Sequence, residues 1–193
     1  LLKRAEVAGR AVDLGGQWVG AGHDVLRAEA KRFGIETYQQ YETGKTVMQL
    51  LGRVAHFSGD VPKMPFLSLI ELALLQRRWD RDMKTVPADA PWNAPRAKEW
   101  DDQTLESWIV QNIRTAASRE FARLVPRGAW AAEARQVSYL WFLDALRSGT
   151  GLGYLMGVKD CGLDAKFKGG MHQIAQRMAD ERSDRGEGAP GVV

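Results

Sequence analysis

Two groups of residues in this chain of 193 have types and spacings that could do chemistry: its glycine runs, and a few isolated nucleophilic or ligating side chains. The stretch "VDLGGQWVGAGHDVLRAEAKRFGIE", Val12 to Glu36, reads as strand, glycine turn and helix. In that layout a dinucleotide's pyrophosphate can rest on a helix N-terminus. The chemistry requires G-x-G-x-x-G at the turn, so that backbone can approach the phosphates. Gly20-Ala-Gly22-His23-Asp24-Val25 has the first two glycines and places Val25 at the third. Gly149-Thr-Gly151-Leu-Gly153-Tyr154 fails at its last place and follows a helix. Two other pairs, Gly15-Gly16 and Gly169-Gly170, would let backbone come close to something flat or anionic. The second pair precedes a helix, whose N–H groups and dipole favour negative charge. Simple turn and cap glycines are the other reading of both pairs.

The remaining reactive residues are sparse. Cys161 is the one cysteine, so no intramolecular disulfide can form, which fits a reducing, cytoplasmic compartment. Its neighbours "KDCGLD" supply no base to activate a thiol. His23, His56 and His172 are far apart, and no HExxH or CxxC spacing supports a metal site. No GxSxG elbow supports a serine nucleophile. Lys and Arg total 27 against 24 acidic residues and are interleaved with them, as in "RRWDRDMK". That pattern describes a mixed solvated surface, and nucleic acid is not expected as a partner. No run of about 18 apolar residues is present, so no membrane span is expected. The opening "LLKRAEVAGR" lacks the build of a signal peptide and does not start with Met, which suggests a fragment. Seven tryptophans predict large buried or cavity-lining aromatics.

The elements that must position these residues are mostly helices. Ala11–Leu14 predicts a short strand, ended by the first glycine pair. A helix follows Asp24, its expected N-cap, with Leu26, Ala30 and Phe33 on one face and Gly34 just past the end. "KTVMQLLGRVAHF" predicts a hairpin around Leu51-Gly52. Leu67 to Val86 predicts a helix with the stripe Leu72, Leu75, Trp79 and Met83. Pro87, Pro91 and Pro95 predict an extended connection. A helix carrying Leu105, Trp108, Ile109 and Ile113 is expected to start near Asp101 or Asp102. Another runs from about Arg119 to Ala132, where Pro126 should kink or split it. "VSYLWFLDALR" is apolar nearly all round and predicts a helix buried between layers. The last helix shows Met171, Ile174 and Met178 on one face, and the tail "RSDRGEGAPGVV" is expected to be loose.

Five segments, "VDLGGQWVG", "FGIETYQQYETGK", "VPADAPWNAPRAKEWDDQTLESW", "AAEARQVSYLWFLDALRSG" and "KFKGGMHQIAQRMA", occur in this order and together resemble the flavin-dependent monoamine oxidase family. The likeness runs from about Val12 to about Met178. It implies an α+β, mainly helical chain made of a partial FAD-binding domain and a helical and β substrate domain of a two-domain fold. Residues 1–37 would belong to the FAD domain, 38–167 to the substrate domain, and 168–193 to the FAD domain again. It implies FAD as cofactor and a small-molecule amine and oxygen as reactants. The products would be an imine, hydrolysed to an aldehyde, and hydrogen peroxide. A homodimer is compatible with the sequence. No catalytic acid–base pair is legible, as expected where the cofactor carries the chemistry.

By matching motif, the resemblance places Gly15, Gly16, Gln17 and Trp18 beside the flavin ring and inner cavity. Val125, Gly128, Ala129 and Met156 match cavity-lining positions, and plain core is the other reading of Val125 and Met156. The departures are specific. Leu163 stands where relatives commonly carry a glutamine facing the substrate. Gly128 replaces what is often a larger apolar side chain, and Gly186 falls where an apolar strand residue is expected. No dinucleotide fingerprint precedes Val12, and the half that would bring the remaining flavin contacts is not in the sequence. Cys161 does not match the position of a flavin-linking cysteine. The resemblance therefore implies an internal piece of an amine oxidase, inactive alone. The competing reading is a non-enzymatic helical interaction module, or a decayed relative without flavin.

Overall fold

The computed structural model describes residues 4–59 and 61–185. In chain order the elements are β1 (Arg4–Val7), β2 (Arg10–Asp13), α1 (Asp24–Arg32), β3 (Thr37–Gln39), β4 (Thr46–Leu50) and β5 (Arg53–Phe57). There follow α2 (Phe66–Met83), α3 (Ala97–Asp101), α4 (Leu105–Asn112), α5 (Ala116–Trp130), α6 (Tyr139–Ser148), α7 (Leu152–Met156), β6 (Ala165–Phe167) and α8 (His172–Asp184). The fold is α+β and mainly helical, and its described strands form three two-stranded antiparallel sheets, β1-β2, β3-β6 and β4-β5. The chain divides into a terminal unit, residues 4–42 with 156–185, and a central unit, 43–155. These divisions differ from the sequence boundaries at 37 and 167. Gln40 N donates to Asp164 O, and Ala21 N to Cys161 O, so residues beyond 37 and before 168 are tied into the terminal unit.

The central unit holds the larger core. Leu75, Trp79, Trp100, Leu105, Trp108, Ile109, Tyr139, Phe142, Leu143 and Leu146 are buried together, so the stripe read on α2 faces inward. Trp79 packs edge-on against Phe142 at 5.0 Å, and Trp108 stacks on Tyr139 at 4.4 Å. Not every aromatic is inside: Trp92 is exposed on the η-turn Pro91–Asn93, and Trp141 is partly exposed on α6, so that helix is not buried all round. Burial pushes the Tyr139 hydroxyl far above its ordinary value, with the neighbouring Asp82 carboxylate adding to the shift.

Hydroxyl caps set several helix starts. Thr104, Thr115 and Ser138 each accept a hydrogen bond from the backbone N–H three residues on, opening α4, α5 and α6. This moves the start of α4 from the expected Asp101 or Asp102 to Leu105. Those aspartates instead end α3, which with the η-turn replaces the extended connection expected across Pro91 and Pro95. Pro126 does not split α5, which runs unbroken from Ala116 to Trp130. The ring is fully buried, and apolar burial offsets the one backbone hydrogen bond that proline cannot donate. The β4-β5 hairpin turns at Leu51-Gly52 as expected, both with positive φ, the geometry of a two-residue primed turn. At the C-terminal end, residues 182–184 belong to α8 and are not loose, whereas Gly186 and the rest of the tail lie outside the described residues.

Glu71 on α2 makes a further link. Its carboxylate accepts from Arg114 N at 2.6 Å, Thr115 N at 2.9 Å and the Thr115 hydroxyl at 2.6 Å. An anion thus sits at the N-terminus of α5, complementing its dipole. Burial pushes the Glu71 carboxyl up, but the Thr115 side chain and the two backbone N–H groups outweigh it and hold it below its ordinary value of 4.5. A carboxyl lowered in the folded state stabilises the fold above its unfolded pKa, and that contribution is lost as pH falls through the folded value. Glu71→Ala is therefore expected to cost about 1–2 kcal/mol at pH 7, allowing for its partial exposure. The gap between variant and parent should close as pH falls through and below the ordinary carboxyl range, where the lowered Glu71 carboxyl protonates. Urea unfolding across pH measures both, and a pH-independent gap would contradict the assignment.

Candidate functional site

In the terminal unit, the segment Leu14–Trp18 is a short strap anchored at both ends. At its start, Met171 N donates to both Asp13 carboxylate oxygens, at 3.1 and 2.9 Å. At its end, Val19 N donates to Ala165 O at 2.8 Å and Ala165 N to Val19 O at 3.1 Å. Val19 is fully buried with Ala30, Ile35, Ala165, Phe167 and Ile174. Arg27 reinforces this end: its Nε donates to Gly20 O at 2.9 Å, and its guanidinium pairs with the buried Asp164 at 2.8 Å. His23, not Asp24, is the N-cap of α1. Its Nδ1 accepts from Gly20 N at 3.0 Å, while Asp24 occupies the first turn, where an acid favours the helix dipole.

The two glycine pairs differ. Gly169 and Gly170 have φ of +81° and +90°, which side chains adopt at a cost. A Cβ on Gly170 would lie 2.8 Å from Asp13 Oδ1. The anion close to the start of α8 is thus the chain's own Asp13 carboxylate. Gly15 and Gly16 are exposed, and neither has positive φ. A Cβ on Gly15 would have no atom within 4 Å. No turn demands glycine there and no neighbour crowds it, so bare backbone is presented to solvent. That surface leaves room for another group to approach the backbone closely.

Gln17 is half-buried beside the glycines, and Trp18 is 37% exposed. Trp18 Nε1 donates to Gln40 Oε1 at 3.1 Å, and Lys166 Nζ lies 5.1 Å from its ring centroid. Gly15, Gly16 and Trp18 are therefore exposed along the strap, with Gln17 half-buried between them. Leu163, in the same unit, is half-buried, with its N donating to Gly157 O. Met156, at the end of α7, is 45% exposed. In the central unit, Val125 is a core residue, 2% exposed, whereas Gly128 and Ala129 lie on the exposed side of the last turn of α5. Two shallow surface depressions, of about 590 and 640 Å³, contain none of these residues; the first involves Arg27, Lys31 and Glu36, the second Trp92, Arg96 and Lys98. Among the described residues, no group of three or more His, Cys, Asp or Glu is placed to hold a metal, and no helix is long and apolar enough to cross a membrane.

Sequence reasoning missed Asp13, Gln40 and Lys166. Asp13 stands in "VDLGG", but its partner is 158 residues away, so no local spacing could reveal the contact.

The sequence profile of a family described as flavin-containing amine oxidoreductase matches residues 3–188. A Mycobacterium tuberculosis protein described as a flavin-containing monoamine oxidase is 34% identical over 179 residues, which cover 93% of this chain and 39% of that protein. A flavin-containing amine oxidase of Danio rerio is 34% identical over 176 residues, covering 90% of this chain and 34% of the relative. The chain thus spans between a third and two fifths of the length of these relatives. Among solved structures, wild-type putrescine oxidase bound to putrescine superposes with a TM-score of 0.85 at 24% identity, over 93% of this chain and 40% of that one.

Proposed function

This chain belongs to the flavin-containing amine oxidoreductase family, and from that premise we propose that it forms the central part of an FAD-dependent oxidase of primary or secondary amines. Bound FAD would take the hydride from the carbon beside the amine and pass the electron pair to oxygen as hydrogen peroxide. The imine left behind hydrolyses to an aldehyde. The observation that carries the reading is the anchored strap Leu14–Trp18, with bare glycine backbone where no conformation requires it. In this reading the terminal unit is part of the FAD-binding domain and the central unit part of the substrate-binding domain. Gly15 and Gly16 lie against the flavin ring, Gln17 borders it, and Trp18 offers the amine an apolar wall. In the central unit Gly128 and Ala129 are exposed at the end of α5, and Val125 packs the core. In the terminal unit Met156 and Leu163 would border the amine, Leu163 offering an apolar side where a glutamine would orient it by hydrogen bonding. These residues bind, orient and keep out water.

The test is direct. The purified protein is incubated with FAD, freed of unbound flavin, and assayed for peroxide with primary and secondary alkylamines. Flavin absorbance retained on the protein that is bleached by an amine without oxygen is expected of the protein completed by the regions its relatives carry. The 193 residues alone are expected to turn over at least about 100-fold more slowly, because the pyrophosphate contacts of a dinucleotide fingerprint are not among them. A second reading, an interaction module, is favoured by one observation: Phe66, Leu67, Ile70 and Leu74 leave an exposed apolar stripe on α2. A completed protein that retains no flavin but self-associates with rising concentration would transfer the assignment to that reading.

A further inference from the structure

We infer that Gln40 and Lys166 are positioning residues that fix the plane of the Trp18 indole, and so set the aromatic wall offered to the amine. The inference rests on the reading of Trp18 proposed above. Trp18 is 37% exposed and has two side-chain torsions to settle. Here two groups settle them. The indole N–H is committed to Gln40 Oε1 at 3.1 Å. That acceptor is itself held, since Gln40 Nε2 donates to Tyr41 O at 3.2 Å and Gln40 N to Asp164 O at 3.0 Å. Lys166 lies on β6, opposite Tyr38 and next to Ala165, whose backbone pairs with Val19. Its ammonium sits 5.1 Å from the Trp18 ring centroid, in reach of the ring's negative face.

The arrangement has a chemical consequence. One face of the indole already carries a cation, so the ring does not serve as a cation cage for a substrate ammonium. It presents its other face or edge to the uncharged body of the amine. Gln40 and Lys166 touch neither substrate nor cofactor in this scheme and act through Trp18.

A double-mutant cycle tests this, with Trp18→Phe, Gln40→Leu, their combination and Gln40→Glu. In ¹⁵N-edited spectra the Trp18 indole N–H resonance, identified by its loss in Trp18→Phe, is expected to shift in Gln40→Leu and exchange with solvent at least about 10-fold faster. In amine turnover by the FAD-loaded protein completed by the regions its relatives carry, Gln40→Leu is expected to raise KM about 3- to 10-fold, with kcat within about 2-fold. Phenylalanine has no N–H, so the same change in the Trp18→Phe background should do nothing. Gln40→Glu keeps an acceptor and should keep KM. Lys166→Met should move KM in the same direction as Gln40→Leu. An unshifted indole resonance in Gln40→Leu, or an equal KM effect in both backgrounds, overturns the role of Gln40. The single variant Trp18→Phe separates the two levels. If its KM is unchanged, the reading of Trp18 as the amine's wall fails. If its KM changes while Gln40→Leu has no effect, only the positioning role fails.

Discussion

Trp79→Ala is expected to destabilise the central unit by about 3–5 kcal/mol, whereas Trp79→Phe should cost about 1 kcal/mol or less. The alanine figure follows from place and partners. Trp79 is among the largest fully buried side chains. It touches Phe142 edge-on at 5.0 Å and Trp108 at 6.1 Å, and so holds α2 to α6 and α4. Each such aromatic contact adds about 0.5–1.5 kcal/mol to the burial itself. The phenylalanine figure follows from one polar atom. Trp79 Nε1 is buried without a hydrogen-bond partner. An unsatisfied donor costs about 1–3 kcal/mol, which Phe recovers and which offsets much of the small cavity it leaves. Urea unfolding followed by near-ultraviolet circular dichroism reports on this aromatic cluster directly. A loss below about 1 kcal/mol in the alanine variant, or equal losses in both, would contradict the packing described.

The parts of the fold that local chemistry determines were legible in the sequence. The α2 stripe at spacings of three and four, the Leu51-Gly52 turn and Gly34 past the end of α1 each depend on residues near one another in sequence, and all three stand in the structure. What the sequence concealed depends on partners that are distant or on weak patterns. β1, "RAEV", alternates polar and apolar residues over four positions only, too few to announce a strand, is mostly exposed, and exists through its pairing with β2. Pro126 carried a strong local rule against helix, and burial in the core of the central unit overrode it. The glycine pairs show the same division. Spacing alone left both pairs open between turn and ligand contact. Tertiary structure explains Gly170 by the Asp13 carboxylate that a Cβ would strike, whereas Gly15 has neither a positive φ nor a crowding neighbour. Family resemblance singled out Gly15 to Trp18, but their frame of Asp13, Gln40, Asp164 and Lys166 appears only when the chain is folded.

Gly15→Leu is expected to leave folding untouched and to abolish flavin retention. The two halves of this expectation come from the same geometry. Gly15 lacks positive φ, and a Cβ built there meets nothing within 4 Å, so a side chain has room and no strain. Its effect on stability should stay within about 0.5 kcal/mol, the range of an ordinary surface substitution. A flavin ring laid on the strap would occupy that same room. Leucine would hold the ring off the backbone and forfeit its contacts, at a cost of about 2–3 kcal/mol, or roughly 30- to 150-fold in affinity. The anchors at Asp13 and Val19 keep the strap from retreating to make space. Urea unfolding and the ratio of flavin to protein absorbance after gel filtration, both on the completed protein, read the two halves separately. Gly170→Leu is the contrast, since its side chain would strike the Asp13 carboxylate in a left-handed conformation. It should lower stability and flavin retention together. A Gly15→Leu protein that keeps its flavin would show that the bare backbone serves something other than the ring, whereas one that unfolds would show that Gly15 is needed by the fold itself.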